Sequence, residues 1–277
     1  MENNKNAIIK NSEKRMNISK FFNARKGSVY LVLGLAVLCT IWHFAAKAID
    51  RSIILPDFVS TMRIFISNWT DPYILSNLSI TLVRVSKGFL YSVIIGLPIG
   101  LLMGFSKTTM EAISPVMNSI RQIPIMAWVP LSIIWFGLGD GPTVFLITMA
   151  AVFPIIINTM AGVKGIDPNF KFAARSMGAN TAKVLRDIIF PGALPGILTG
   201  CRIAIGMGWM LVICAEFIAT SEGFGFLLVE SQRRIQTPQL FSYMIMAALV
   251  GFAIDRLLQL LEKNLTSWRY KDAAIKN

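Results

Sequence analysis

Three ionisable side chains stand inside apolar runs of this 277-residue chain: Arg121, Arg202 and Glu216. Charge at membrane depth is costly, so it faces protein, a partner charge or a water-filled path. Arg202 and Glu216 are about four helical turns apart, so they share a helix face without touching. Two arginines with no excess of buried acids favour an anionic solute, and all three residues are candidate lining of a translocation path. The competing explanation is that Arg121 snorkels to the interface while the other two pair with neighbouring helices. Other chemistry is excluded by residue type. His43 is the only histidine, so neither an HExxH metal helix nor a histidine-based triad can form. No GxxxxGK[ST] run exists to cradle phosphate. No catalytic residue, metal site or bound cofactor is expected. Cys39, Cys201 and Cys214 lie in apolar runs, and an odd number there reads as small packing residues rather than a disulfide framework.

The elements that would position these residues are membrane spans. The chain is 54% apolar and only 15% charged, against roughly a quarter charged in soluble domains. That composition excludes a soluble enzyme and a disordered tail. The net charge of +12 does not point to nucleic acid, because the basic residues sit in links between apolar runs. A span needs about 20 residues, and six are predicted: Val29–Ala46, Gly88–Phe105, Ile123–Leu138, Thr143–Val163, Leu194–Ala219 and Leu240–Leu261. The fold expected is an all-α integral membrane bundle of six transmembrane helices, an N-terminal helix followed by a five-helix core. Pro115, Pro124 and Pro130 interrupt the third, which is expected to begin near Ala112 as a kinked helix. Around the spanning domain of residues 29–261 lie a basic N-terminus, 1–28, and a C-terminal tail, 262–277. The first apolar run is read as a retained helix rather than a cleaved signal, since both it and its basic lead are long for a signal peptide.

Lys and Arg in alternate links total 17 against 7 on the opposite side, which places both termini in the cytoplasm. Gly96, Gly100 and Gly104 recur every four residues along one helix face, where another backbone can approach closely. Gly196 and Gly200 repeat the device in the fifth span. Between residues 164 and 192 lies an amphipathic cytoplasmic loop. Asp167-Pro168-Asn169 marks a helix start, and small residues beside Lys171, Arg175 and Lys183 make a docking surface for a partner. The apolar stretch Phe224–Val229, in the opposite link, is expected to be a re-entrant gating segment or an interfacial anchor.

The loop carries a resemblance. Permeases of ABC-type importers have a cytoplasmic pattern EAA-x3-G-x9-I-x-L-P. This chain reads Phe172-Ala173-Ala174, then Arg175 within the three-residue gap, then Gly178, and nine residues on Ile188-Ile189-Phe190-Pro191. Phe172 stands where the pattern has Glu and Phe190 where it has Leu. The run Pro124 to Leu131, Trp135-Phe136-Gly137-Leu138-Gly139, and Ala215-Glu216 followed by Gly223-Phe224-Gly225 resemble the nitrate, sulfonate and taurine branch. The resemblance spans about 75–262 and implies a bacterial inner-membrane permease that homodimerises. It further implies two ATPase subunits, holding ATP and Mg, docked on the loop, and an extracytoplasmic solute-binding protein delivering a small anion. Alternatives left open are a heterocyclic vitamin precursor as solute, or an ion-coupled secondary transporter.

Overall fold

The computed structural model describes residues 29–30 and 33–266. The predicted N-terminal segment 1–28 and most of the predicted tail lie outside the described residues. Every regular element among the described residues is helical. The chain divides into two units, Met1–Arg63 and Ile64–Asn277. In the first, helix α1 runs Leu33–Ile49, an apolar helix shorter than the other candidate spans, where Val29–Ala46 was expected. It ends at Asp50, in the left-handed region with φ 47°. The Trp42 indole N–H then donates to the Pro56 carbonyl at 3.0 Å, and its ring meets Phe58 edge-on at 5.4 Å. Helix α2, Phe58–Asn68, crosses the boundary between the units.

The second unit holds α3 (Pro72–Phe105), α4 (Lys107–Gln122), α5 (Val129–Phe136), α6 (Asp140–Lys164), α7 (Pro168–Ser176), α8 (Thr181–Val184), α9 (Phe190–Ala219), α10 (Phe224–Arg233) and α11 (Thr237–Leu265). A single π-helical turn, Leu185–Ile189, joins α8 to α9. Among the described residues, four helical stretches are long and apolar enough to cross a membrane: α3, α6, the continuous Thr181–Ala219 and α11. The pair α4–α5 makes a fifth if it is one broken span, and it bends by 87°.

Two boundaries differ from the sequence expectation for clear local reasons. Helix α3 begins sixteen residues before Gly88, because Asp71 caps it by accepting from the Tyr73 N–H and Pro72 fits the first turn. At 34 residues it is about 51 Å long and outruns the roughly 30 Å hydrocarbon layer. Residues 72–87, expected as part of a link, are therefore helix, and Asn77, Thr81 and Arg84 are buried within the protein. The expected third span, Ile123–Leu138, is instead the far arm of the bend. Ile123, just before Pro124, is extended with ψ 121°, as steric conflict with a following proline ring requires. The preceding arm starts at Lys107, capped by the Ser106 hydroxyl.

Helix α6 is the central element, packed between α3 and α9. A Cβ at Gly100 would fall 2.8 Å from the Ile156 carbonyl, and one at Gly96 3.0 Å from the Val152 carbonyl. At Gly104 it would fall 2.5 Å from the Val163 Cβ. On the other side, a Cβ at Gly196 would lie 2.8 Å from the Asn158 carbonyl and 2.9 Å from the Gly162 Cα. Backbone cannot rotate aside as a side chain can. Gly196→Leu is therefore expected to cost the upper end of the overpacking range, about 3 kcal/mol. The measurement is a thermal midpoint in detergent. A midpoint equal to that of the parent chain would mean that α6 and α9 separate without penalty.

Helix α10 corrects the reading of Phe224–Val229 as an interfacial anchor. Phe224, Leu227 and Leu228 are buried in a core with Ile74, Leu78, Tyr243 and Met246. The apolar stretch is thus one wall of the bundle's own interior.

Candidate functional site

Three structures within the second unit could carry function: the loop at 164–192, a buried polar node and a cavity at the α4–α5 bend.

In the loop, the Asp167 carboxylate caps α7 by accepting from the Asn169 N–H at 2.9 Å, with Pro168 in the first turn. The helix stops at Gly178, whose φ is +80°. There the Gly178 N–H donates to the Arg175 carbonyl and the Ala179 N–H to the Ala174 carbonyl, the paired bonds of a Schellman ending. Gly178 is thus required by backbone conformation, since a Cβ there would meet open space. Of the small residues, Ala174 is buried against Val163, Val184, Ile189, Ala193 and Ile197, so it seats α7 on the helices of its own chain. Ala173 and Arg175 face out, as do Phe170, Phe172 and Met177, exposed at 64%, 64% and 82%. Ile188 is half-buried and Pro191 exposed. Gly178→Val is expected to destabilise this turn by about 1–2 kcal/mol, while Gly178→Asn keeps it. Amide hydrogen exchange over 174–180 reads the difference, and equal protection in both variants would remove the backbone explanation.

The buried node involves Glu216, fully inaccessible, and Arg84, 1% exposed. The Arg84 Nη1 donates to Glu216 Oε1 at 2.8 Å and to the Glu222 carbonyl at 2.8 Å. Its Nε donates to Asp140 Oδ1 at 2.7 Å, and its Nη2 to Glu222 Oε1 at 3.3 Å. Glu216 also accepts from the Thr81 hydroxyl and from the Gly225 N–H, each at 2.8 Å. The Thr81 oxygen accepts in turn from the Phe224 N–H at 2.7 Å, and Asn77 Oδ1 accepts from the Gly223 N–H at 2.7 Å. Four elements meet here: α3, the start of α6, the end of α9 and the start of α10. Gly223, at φ +107°, lets the chain turn over the carboxylate. Glu216 therefore faces an arginine that sequence reasoning did not single out.

Arg202 lies elsewhere. Its Nη1 is 3.3 Å from Glu262 Oε2, and the Thr199 hydroxyl donates to the other oxygen at 3.0 Å. This pair ties α9 to α11. Arg121, the last of the three, sits in the final turn of α4 at the bend. It lines a cavity of about 740 Å³ shared by α4, the Ile125–Trp128 turn, α6 and α9. Trp128, Phe153, Met207 and Met210 form its apolar wall, while Gln122 and Asn158 add amides. Arg121 is the only charged residue in that lining, and it forms no ion pair among the described residues. The structure thus separates the three charges expected at membrane depth into a node, an inter-helix tie and a cavity.

Comparison with known proteins places this geometry. Residues 96–267 match the family model described as binding-protein-dependent transport system inner membrane component. The taurine transport system permease protein of Escherichia coli is 32% identical over 240 residues, covering 84% of this chain and 87% of that protein. The nitrate import permease protein of Synechocystis is 27% identical, covering 83% and 86% respectively. Among solved structures, an inward-facing MetNI methionine ABC transporter superposes with a TM-score of 0.64 at 17% identity, covering 70% of this chain and 96% of that one.

Proposed function

Since this chain belongs to the family of binding-protein-dependent transport system inner membrane components, we propose that it lines the path of a small organic or inorganic anion such as a sulfonate, taurine or nitrate. It is the permease of an ABC importer, a transport subunit whose ATPase is a separate chain. The observation that carries the anion reading is Arg121, the only charged residue lining the cavity at the α4–α5 bend and without an acidic partner among the described residues. Broken helices with irregular backbone at membrane depth are tolerated where they are enclosed by protein or line a solvated cavity. The relatives named for taurine, a zwitterion with a sulfonate head, and for nitrate agree with an anionic head group.

In this reading the permease is a homodimer. Each copy has six spans, counting α1 and the bent α4–α5 pair, with both termini in the cytoplasm. Two ATPase subunits, holding ATP and Mg, dock on the 172–191 segment through Phe172, Ala173 and Arg175. Gly178, Ile188 and Pro191 hold that segment's shape, and a solute-binding protein delivers the anion from outside. Movement of α7 with the docked ATPase is passed to α9 through Ala174 and the continuous Thr181–Ala219 helix. Glu216 is spent entirely on bonds within the protein. That leaves ion-coupled transport without a free carboxylate in the cavity.

Gentle purification of the tagged chain from its native membrane, followed by mass spectrometry, tests the assembly. A stoichiometric ATPase with a P-loop is expected. Reproducible purification without one, under conditions that hold a known importer together, would defeat this assignment of the loop.

A further inference from the structure

We infer that the groove between α9 and α11 is a phospholipid site, which seats an acyl chain along its apolar length and holds the head of a phosphatidylethanolamine at its charged mouth. This goes beyond the permease reading above and uses only the chain's place in a membrane.

The groove encloses about 360 Å³. Gly206 and Ile213 of α9 face Ala247, Ala248 and Gly251 of α11 along it, with Trp209 between them. A Cβ at Gly206 would meet nothing within 4 Å, so the chain's own side chains leave this space open. The charges stand at one end only. The two helices run antiparallel, Arg202 meeting Glu262 and Trp209 meeting Ala247. Arg202 and Asp255, which both line the groove, therefore fall at the same end, the one nearer the 164–192 loop. Small residues on the walls let a hydrocarbon chain pack in close van der Waals contact.

The charged end lies at the edge of the hydrocarbon layer. The first 18 residues of α11, Thr237–Ile254, hold no charge. They make about 27 Å of helix, close to the layer's roughly 30 Å. Asp255 is the first charge beyond them, at the depth of lipid head groups. It has no cationic partner among the described residues and accepts from the Gln259 amide at 2.9 Å. Arg202 spends one nitrogen on Glu262, and its other donors are uncommitted among the described residues. A phosphate suits a guanidinium, and an ammonium neutralises an unpaired carboxylate at membrane depth. The ethanolamine head carries both groups. Phosphatidylglycerol would bring a second anion beside Asp255 and leave it unpaired. The trimethylated head of phosphatidylcholine has no N–H to donate.

Native mass spectrometry tests the inference on the protein purified with its partners in mild detergent and titrated with phospholipids of equal chain length. Phosphatidylethanolamine, as the first lipid bound, is expected to lead the glycerol and choline lipids by about tenfold, the scale of one hydrogen bond between charged groups. Asp255→Asn should bring the ethanolamine and choline lipids to parity, and Asp255→Lys should put phosphatidylglycerol first. Gly206→Leu should weaken all three by filling the groove. Equal binding of the three lipids by the parent, or undiminished binding by Gly206→Leu, would overturn the inference. So would a disulfide joining two copies through Gly206→Cys, with Cys39, Cys201 and Cys214 replaced by serine, because a second copy would then occupy the groove. A complex that transports without an ethanolamine preference defeats this inference alone. A protein that shows the preference but carries no ATPase defeats the permease reading alone.

Discussion

Arg84→Met is expected to cost about 3–5 kcal/mol, because it strands a carboxylate that water cannot reach. Glu216 is fully buried and would keep only the Thr81 hydroxyl and the Gly225 N–H. Asp140 and Glu222, whose side chains are 48% and 58% exposed, would simply hydrate. The damage is therefore specific to the partner at the centre. Restoring neutrality should recover part of it: Arg84→Met combined with Glu216→Gln removes the charge while keeping a side chain that can accept from Thr81. Thermal midpoints of the three proteins in detergent form the test. The expected order is parent, then double variant, then Arg84→Met. A double variant no more stable than the single one would show that the hydrogen-bond geometry matters and the stranded charge does not.

This node was the least legible part of the sequence, and the reason is physical. Hydropathy finds the residues that face lipid, and the 47–87 link counts as polar because it contains Arg84 and Lys87. Burial of Arg84 depends on Glu216, Asp140 and Glu222, distant positions that no local pattern connects. One local signal was available: Asp71 followed by Pro72 is a helix start, and extending α3 back to it places Asn77, Thr81 and Arg84 on a helix. Glu216 was identifiable as unusual from its depth, but its partner was not.

Other features were legible because their cause is local. Asp167-Pro168 begins α7 and Gly178 ends it, both from the conformational preferences of those residue types. Three prolines pointed to an interrupted helix from about Ala112, but only Pro124 falls at the 87° bend; Pro115 lies within α4 and Pro130 in the first turn of α5. The four-residue glycine period pointed to close helix approach. It could not name α6 as the helix approached, since that is set by long-range packing. Ala174 shows the limit of motif reading: its small size serves the permease's own core, while its neighbour Ala173 faces out.

The outward side of α7 gives the other large effect. Phe172 and Met177 are exposed at 64% and 82% on a helix whose remaining exposed residues include Asn169, Arg175 and Ser176. In the docking proposed above, these large apolar side chains on a polar segment are the ones that meet the ATPase. Phe172 also stands where the importer pattern has Glu, so the docking proposed above would make an apolar rather than a polar contact at that point. Phe172→Asp is expected to weaken ATPase docking by about 2 kcal/mol or more, the scale of an interface hot spot, and Phe172→Asp with Met177→Asp to abolish co-purification. Neither side chain is buried in the permease, so the thermal midpoint of the isolated chain should stay within about 0.5 kcal/mol of the parent. That pairing separates docking from folding. Phe172→Glu completes the test. If the partner surface were built for the acidic residue of the pattern, this variant would bind as well as the parent or better. Loss of binding with an unchanged midpoint would instead show a partner groove matched to an aromatic ring.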